Sequence, residues 1–253
     1  MLIFLKFILL LLPGLVSVAF LTLIERKVLG IVGFRLGPNK VSVIGILQPF
    51  ADAVKLGNKE CSVLFNFSFF FYYFNCCLIF VVRVSLYFCF FLDPQPLLLK
   101  HSFLLFLIFL GVNSLGSILS GWRVFSKFCM VGSLRTISQL ISYESVLYFC
   151  FMFFIYFFRS LRFEIHSFSL FFFIIIFPCF YIWFPSILAD LNRTPYDFRE
   201  GERELVRGFN TEFGSSGFTL VFLREYNNIL FFSLLRRYLF FKNNFLLFFF
   251  FFF

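Results

Sequence analysis

The densest chemistry in the sequence lies in 190–213, DLNRTPYDFREGERELVRGFNTEF, which holds six of the chain's 13 acidic residues: Asp190, Asp197, Glu200, Glu202, Glu204 and Glu212. In helical spacing Asp197, Glu200 and Glu204 form an i, i+3, i+7 acidic stripe, with Arg199, Arg203 and Arg207 on an adjoining face. Neighbouring carboxylates resist simultaneous ionisation, so one or more is expected to carry a proton near neutral pH and to pass it on. The same residues serve equally for plain ion pairing, Glu200 with Arg203 and Glu204 with Arg207. Gly201 and Gly208 argue against one unbroken helix through the segment.

Two further acids lie inside apolar stretches, where an ionisable group costs on the order of 3 kcal/mol or more and persists mainly where it has a partner or a task. Glu144 is expected opposite the face of Arg135, Ser138, Gln139 and Ser142, with Tyr148 one turn beyond. Glu225 adjoins Arg224 and lies within a turn of Asn228. Adjacent helical residues point apart, so Arg224 and Glu225 each need a different partner. A relay of protons and a helix-packing ion pair are the two uses such carboxylates have.

A third concentration of charge is 25–60, ERKVLGIVGFRLGPNKVSVIGILQPFADAVKLGNKE, too charged to span a membrane and too apolar for an ordinary loop. From Ile44, apolar residues recur at Leu47, Ala51 and Val54, while Gln48, Asp52, Lys55 and Lys59 form a polar ridge. That spacing predicts an amphipathic, interfacial helix with Pro49 in its first turn or at a kink. The turn Gly37-Pro38-Asn39 is expected to hold Arg35 near the Glu25-Arg26-Lys27 cluster.

These groups need elements to position them. Of 253 residues, 61% are hydrophobic, 25% aromatic and only 14% charged, with 50 Phe and a mean hydropathy of +0.94. An ordinary soluble domain and a disordered chain are both excluded; the chain reads as an all-α polytopic membrane protein, one membrane domain over 1–253. Apolar runs near the roughly 20 residues needed to cross a bilayer fall at 2–24, 63–82, 97–119, 131–158, 168–189 and 217–235. They predict about six transmembrane helices, with a candidate seventh starting at Phe245. Most of the 22 Lys and Arg lie in the odd-numbered loops, which therefore face the compartment of synthesis, and the N-terminus faces away.

The net charge of +9 would suggest nucleic acid as a partner of a soluble protein, but its distribution follows the bilayer instead. Cys76, Cys77, Cys89, Cys129, Cys150 and Cys179 lie in or beside apolar runs and read as small lipid-compatible fillers, not a disulfide framework. There is no phosphate-binding loop, no dinucleotide fingerprint and no cysteine ladder, and His101 and His166 lie near span ends. No bound metal, flavin or haem is expected in this chain.

Three blocks carry a resemblance: Glu25 to Glu60; GWRVFSKFCMVGSLRTISQLISYES from Gly121; and Leu188 to Tyr226, including FLREY. Together they cover nearly half the chain, and it is identified as a member of the chain 1 family of respiratory NADH:ubiquinone oxidoreductase, complex I. The resemblance implies a mitochondrial inner-membrane location, with the odd loops in the matrix and the N-terminus on the intermembrane-space side. It implies ubiquinone as substrate and, as partners, the other membrane-arm subunits and the hydrophilic-arm subunits around the terminal iron–sulfur cluster. Carried over by position, Arg26, Arg35, Asp52 and Phe209 belong to the quinone tunnel. Glu144, Asp190, Asp197, Glu200, Glu202, Glu204, Glu212 and Glu225 belong to the acidic path that couples quinone reduction to proton translocation.

The chain departs from the family in several places. Asp190 and Leu191 stand where Glu is usual before the Asn-Arg motif, Arg203, Arg207 and Arg224 replace small residues, and Gly33 stands for Gln. Nothing matches the segment that follows the sixth span in the family, so a second polypeptide supplying the last spans is the expectation. The competing readings are a proton or cation transporter and a structural membrane anchor of another quinone- or hydrogenase-linked complex.

Overall fold

A computed structural model of the chain describes residues 2–59, 69–86, 102–123, 127–158, 170–197 and 215–240, and these form helices and the turns between them, with no strand among the described residues. Six long helices match the six apolar runs in order: α1 (Leu2–Val32), α3 (Phe69–Ser85), α4 (Ser102–Arg123), α5 (Lys127–Phe158), α6 (Leu170–Asp190) and α7 (Ser215–Phe240). The short α2 (Gln48–Gly57) follows a single 3-10 turn at Val43–Gly45. By length and composition, 130–157 on α5 is long and apolar enough to cross a membrane. The candidate seventh span lies outside the described residues.

Most long helices end at the limit of their apolar run or about a turn beyond it, because flanking polar residues such as Arg123 and Asp190 extend helical backbone without adding apolar length. The exception is α1, which continues past Ile24 through Glu25, Arg26 and Lys27 to Val32 and so carries its charges on a rigid helix end. Pro49 occupies the first turn of α2, where its missing N–H removes no hydrogen bond.

Helices α3, α4, α5 and α6 pack successively, and α7 closes the bundle by lying against α3, α1, α2 and α6. Phenylalanine supplies much of the joint core. Phe103 and Phe106 of α4, Phe151 and Phe154 of α5 and Phe231, Phe232 and Phe240 of α7 are buried together with Trp183 of α6. Phe106 sits 5.5 Å from Phe231 in a stacked pair and 4.8 Å from Phe151 edge-on, geometries that satisfy the ring quadrupoles. Between α3 and α4, Gly116 allows a close approach: a Cβ there would overlap the side chain of Ile79, and the Gly116 carbonyl accepts a 3.0 Å hydrogen bond from Asn75 Nδ2.

The connection from α1 to α2 folds back on itself. Gly37 lies so close to the α1 end that a Cβ would stand 3.0 Å from Lys27 Cα, and Lys27 Nζ donates to the Ile44 carbonyl at 2.7 Å. Ser42, Ile44 and Gly45 have φ of 60°, 59° and 77°. At Gly45 a side chain would be strained by the backbone angle and would also collide with the Pro38 carbonyl. Gly45→Ala is therefore expected to destabilise this loop by at least about 1 kcal/mol, read as faster protease cleavage between Gly33 and Gln48 in the assembled protein.

Candidate functional site

Three nodes of charged and polar side chains join the helices. The first joins α1 to α2: Arg26 Nη1 donates to Asp52 Oδ2 at 2.5 Å, and Gln48 Nε2 donates to the other carboxylate oxygen at 2.9 Å. Arg26 and Asp52, both assigned to the polar part of the tunnel by resemblance, are paired. Arg35 is exposed, and its backbone N–H donates to the Gly30 carbonyl at 2.9 Å, closing the end of α1. Phe209 lies outside the described residues.

The second node joins α1, the segment after α6, and α7. Arg193 grips Glu25 with two donors, Nη1 to Oε1 at 2.6 Å and Nη2 to Oε2 at 3.3 Å, and Tyr226 Oη donates to Oε2 at 2.7 Å. The Arg193 guanidinium also lies 5.6 Å from the centre of the Tyr226 ring. None of the three is among the site residues expected from the sequence. Glu25 and Arg193 are 168 positions apart, so no spacing pattern links them; the available signal is an acid placed directly at the end of an apolar run, which needs a cation.

Burial would raise the Glu25 carboxyl, but hydrogen bonds from Arg193 and Tyr226 and the charges of Arg193 and Arg26 outweigh it and hold the group below its ordinary 4.5. A carboxylate depressed in the folded state stabilises fully above its unfolded value and loses that contribution as pH falls through the lower folded value. Wild-type protein is thus expected to lose stability as pH drops below about 4.5, and Glu25→Gln should lose less over that window; thermal unfolding in detergent on the acid side of neutrality checks it.

The third node lies between α5 and α6. Glu144, Gln139 and Asp190 are buried, and Tyr148 is within electrostatic range of both Glu144 and Asp190. Gln139 Nε2 donates to the Ala189 and Tyr196 carbonyls at 2.9 and 2.7 Å, and Tyr143 meets the Tyr196 ring edge-on at 5.5 Å. Glu144 and Gln139 are five positions apart, on different sides of α5, and both are buried. Because α5 packs against α4 on one side and α6 on the other, its buried arc is wide enough for both residues, while Arg135, Ser138 and Ser142 remain exposed. On α7, Arg224 is buried and Glu225 half-exposed, so these neighbours point apart as expected.

The segment Ala189–Tyr196 is shared by the second and third nodes: Asp190 belongs to one, Arg193 to the other, and Gln139 fixes both of its ends. Of the acidic loop, Asp197 is half-buried at the edge of this segment, and Glu200, Glu202, Glu204 and Glu212 lie outside the described residues. Among the described residues no group of three or more His, Cys, Asp or Glu could hold a metal ion.

Between α1, α6 and α7 lies a cavity of about 340 Å³, within the usual range for small-molecule sites. Leu21, Trp183, Ile187, Leu188, Ile229 and Phe232 make its walls apolar; Glu25, Arg193 and Thr194 lie at one end and Ser233 with the buried Arg236 at the other. The lining is apolar in the middle and polar at both ends.

A protein-family model described as NADH dehydrogenase matches residues 5–253. The chain is 45% identical over 227 residues to NADH-ubiquinone oxidoreductase chain 1 of Aedes aegypti, covering 87% of this chain and 71% of that relative. It is 42% identical over 236 residues to the chain 1 protein of Locusta migratoria, covering 91% and 74%. With the chain 1 protein of Strongylocentrotus purpuratus the identity is 42% over 228 residues, covering 87% and 69%.

Proposed function

The chain belongs to the NADH dehydrogenase family, and from that premise we propose that it is the membrane subunit of a proton-pumping NADH:ubiquinone oxidoreductase, shaping the quinone chamber and carrying the first part of the proton path. Helices α1 and α3–α7 cross the mitochondrial inner membrane, α2 lies at its matrix surface, and the N-terminus is on the intermembrane-space side. The matrix-side segments 25–60 and 190–216 meet the hydrophilic-arm subunits around the terminal iron–sulfur cluster, and the lateral helices meet the other membrane-arm subunits. The observation that carries this reading is the linkage of three charged nodes beside an amphiphile-sized cavity, from Arg26–Asp52 through Glu25–Arg193–Tyr226 to Asp190–Tyr148–Glu144.

Reduction of ubiquinone takes two electrons and two protons, and the electrons come from the neighbouring cluster. This chain's share is position and electric field. The apolar walls around Leu21 and Phe232 hold the tail, while Arg26, Arg35 and Asp52, with Phe209, guide the ring toward the hydrophilic arm. Negative charge arriving on the ring draws Arg26 and Arg193 toward it and weakens their hold on Asp52 and Glu25. Glu25 then binds a proton more readily, and the change reaches Asp190 and Glu144 through the Ala189–Tyr196 segment. Asp197, Glu200, Glu202, Glu204, Glu212 and Glu225 continue the path toward the pumping arm.

Arg26 and Asp52 have side chains 48% and 31% exposed, so their pair contributes about 1 kcal/mol or less to stability. Asp52→Asn is therefore expected to leave the assembled complex intact and to raise KM for ubiquinone several-fold more than it lowers kcat, measured by NADH oxidation against a quinone titration. The reading as a whole is tested with a photoreactive azido-ubiquinone on the intact complex. Label displaced by excess ubiquinone is expected on peptides containing Leu21–Asp52 or Trp183–Thr194; label confined to other subunits would overturn the chamber assignment.

A further inference from the structure

The cavity between α1, α6 and α7 ends in two different chemistries. At one end Glu25 is held by Arg193 and Tyr226. At the other stand Trp183 of α6 and Ser233 and Arg236 of α7, all three buried. The ring of Phe240, four residues beyond Arg236 and so on the same face of α7, packs against the Trp183 indole with centroids 5.1 Å apart. That contact sets Arg236 within about one helical turn of the indole.

The three side chains differ in what they can offer. Ser233 Oγ gives its proton to the Leu230 carbonyl at 2.6 Å. The Trp183 Nε1–H is buried and has no hydrogen-bond partner, which is costly unless something in the cavity accepts from it. Arg236 carries five N–H donors in a rigid fork, enough to serve a ligand beside any contact it makes within the protein.

We propose that this end of the cavity binds the carboxylate of a single-chain fatty acid. The carboxylate accepts from the Trp183 Nε1–H and the Arg236 guanidinium, and the chain lies along Leu21, Ile187, Ile229 and Phe232. Two donors, one of them permanently charged, favour an anionic head over a neutral carbonyl or hydroxyl, and the planar fork of an arginine matches the two oxygens of a carboxylate. A cavity of about 340 Å³ is near the lower bound for small-molecule sites, with room for one chain and not two, which selects a fatty acid over a phospholipid. The same apolar walls hold the quinone tail in the function proposed above, so on that reading fatty acid and quinone compete; the binding itself does not rest on it.

The test uses intact respiratory membranes and, as probe, hexadecanoate carrying a photoreactive diazirine midway along its chain. After irradiation and digestion, label is expected in peptides containing residues 183–191 or 229–236. Unlabelled hexadecanoate should displace it at roughly a tenth of the concentration that hexadecanol requires, the ratio that one charge-assisted hydrogen bond supplies. In Arg236→Gln that ratio should fall toward one; the wild-type competition decides the matter by itself where the variant does not assemble. Equal displacement by acid and alcohol would reveal an apolar pocket without an anion site and overturn the proposal. Absence of label from both peptides would overturn it too, as would displacement by phosphatidylglycerol in preference to hexadecanoate, which would give the donors to a phospholipid head. Label that excess ubiquinone fails to displace keeps the fatty-acid site and counts only against the quinone-chamber reading.

Discussion

Glu144→Gln is expected to lower NADH-driven ubiquinone reduction and its coupled proton release by roughly tenfold or more, while the complex still assembles. The magnitude follows from what a positioned proton-transfer group supplies, on the order of hundredfold or above, reduced because neighbouring acids share the path. Gln keeps the size and hydrogen-bonding capacity of the side chain, so packing between α4 and α6 is retained. It removes the one property a relay requires, a proton that can leave. Native-gel recovery of the complex and the proton-to-electron ratio in reconstituted vesicles separate the two uses of this buried carboxylate. Loss of assembly without a change in the ratio of the surviving complex would assign Glu144 to helix packing.

Arg193→Gln should have the largest structural effect. It leaves Glu25 in a half-buried site with Tyr226 as its remaining hydrogen-bond donor and disconnects the segment after α6 from both α1 and α7. Breaking a buried pair from one side costs about 3–5 kcal/mol and an exposed pair under about 1; with side chains 40% and 20% exposed, this one falls near about 2. Arg193→Lys should recover little, because a single ammonium cannot reproduce the two-pronged grip or lie over the Tyr226 ring. Thermal inactivation of the detergent-solubilised complex measures the loss. A double-mutant cycle with Glu25→Gln should find the two changes strongly non-additive; simple additivity would dissolve the node.

How much of this is written in the sequence depends on the range of the interaction. The six long helices are legible because each is a long run of apolar residues, and α2 because its polar ridge recurs with helical period and Pro49 marks its first turn. A role for Arg26 and Asp52 is suggested only by family resemblance; Asp52 lies on the helix anticipated, whereas Arg26, expected in the loop beyond the first span, lies on the extended end of α1. The Glu25–Arg193–Tyr226 node is not legible, because its members come from the two ends of the chain and meet only when α7 folds back against α1. Burial of Gln139 is not legible for a different reason: helical phase gives one buried stripe, whereas a helix enclosed on two sides buries a wider arc. The abundant Phe supplies much of the core joining α4, α5 and α7.

The most direct test of the central claim is mass spectrometry of the band that oxidises NADH after respiratory membranes are extracted in mild detergent and separated on a native gel. Peptides of this chain, at a stoichiometry equal to that of the iron–sulfur subunits and with activity that passes electrons to ubiquinone, are the predicted result. Migration of the chain alone, or within an assembly that does not oxidise NADH, would contradict the account.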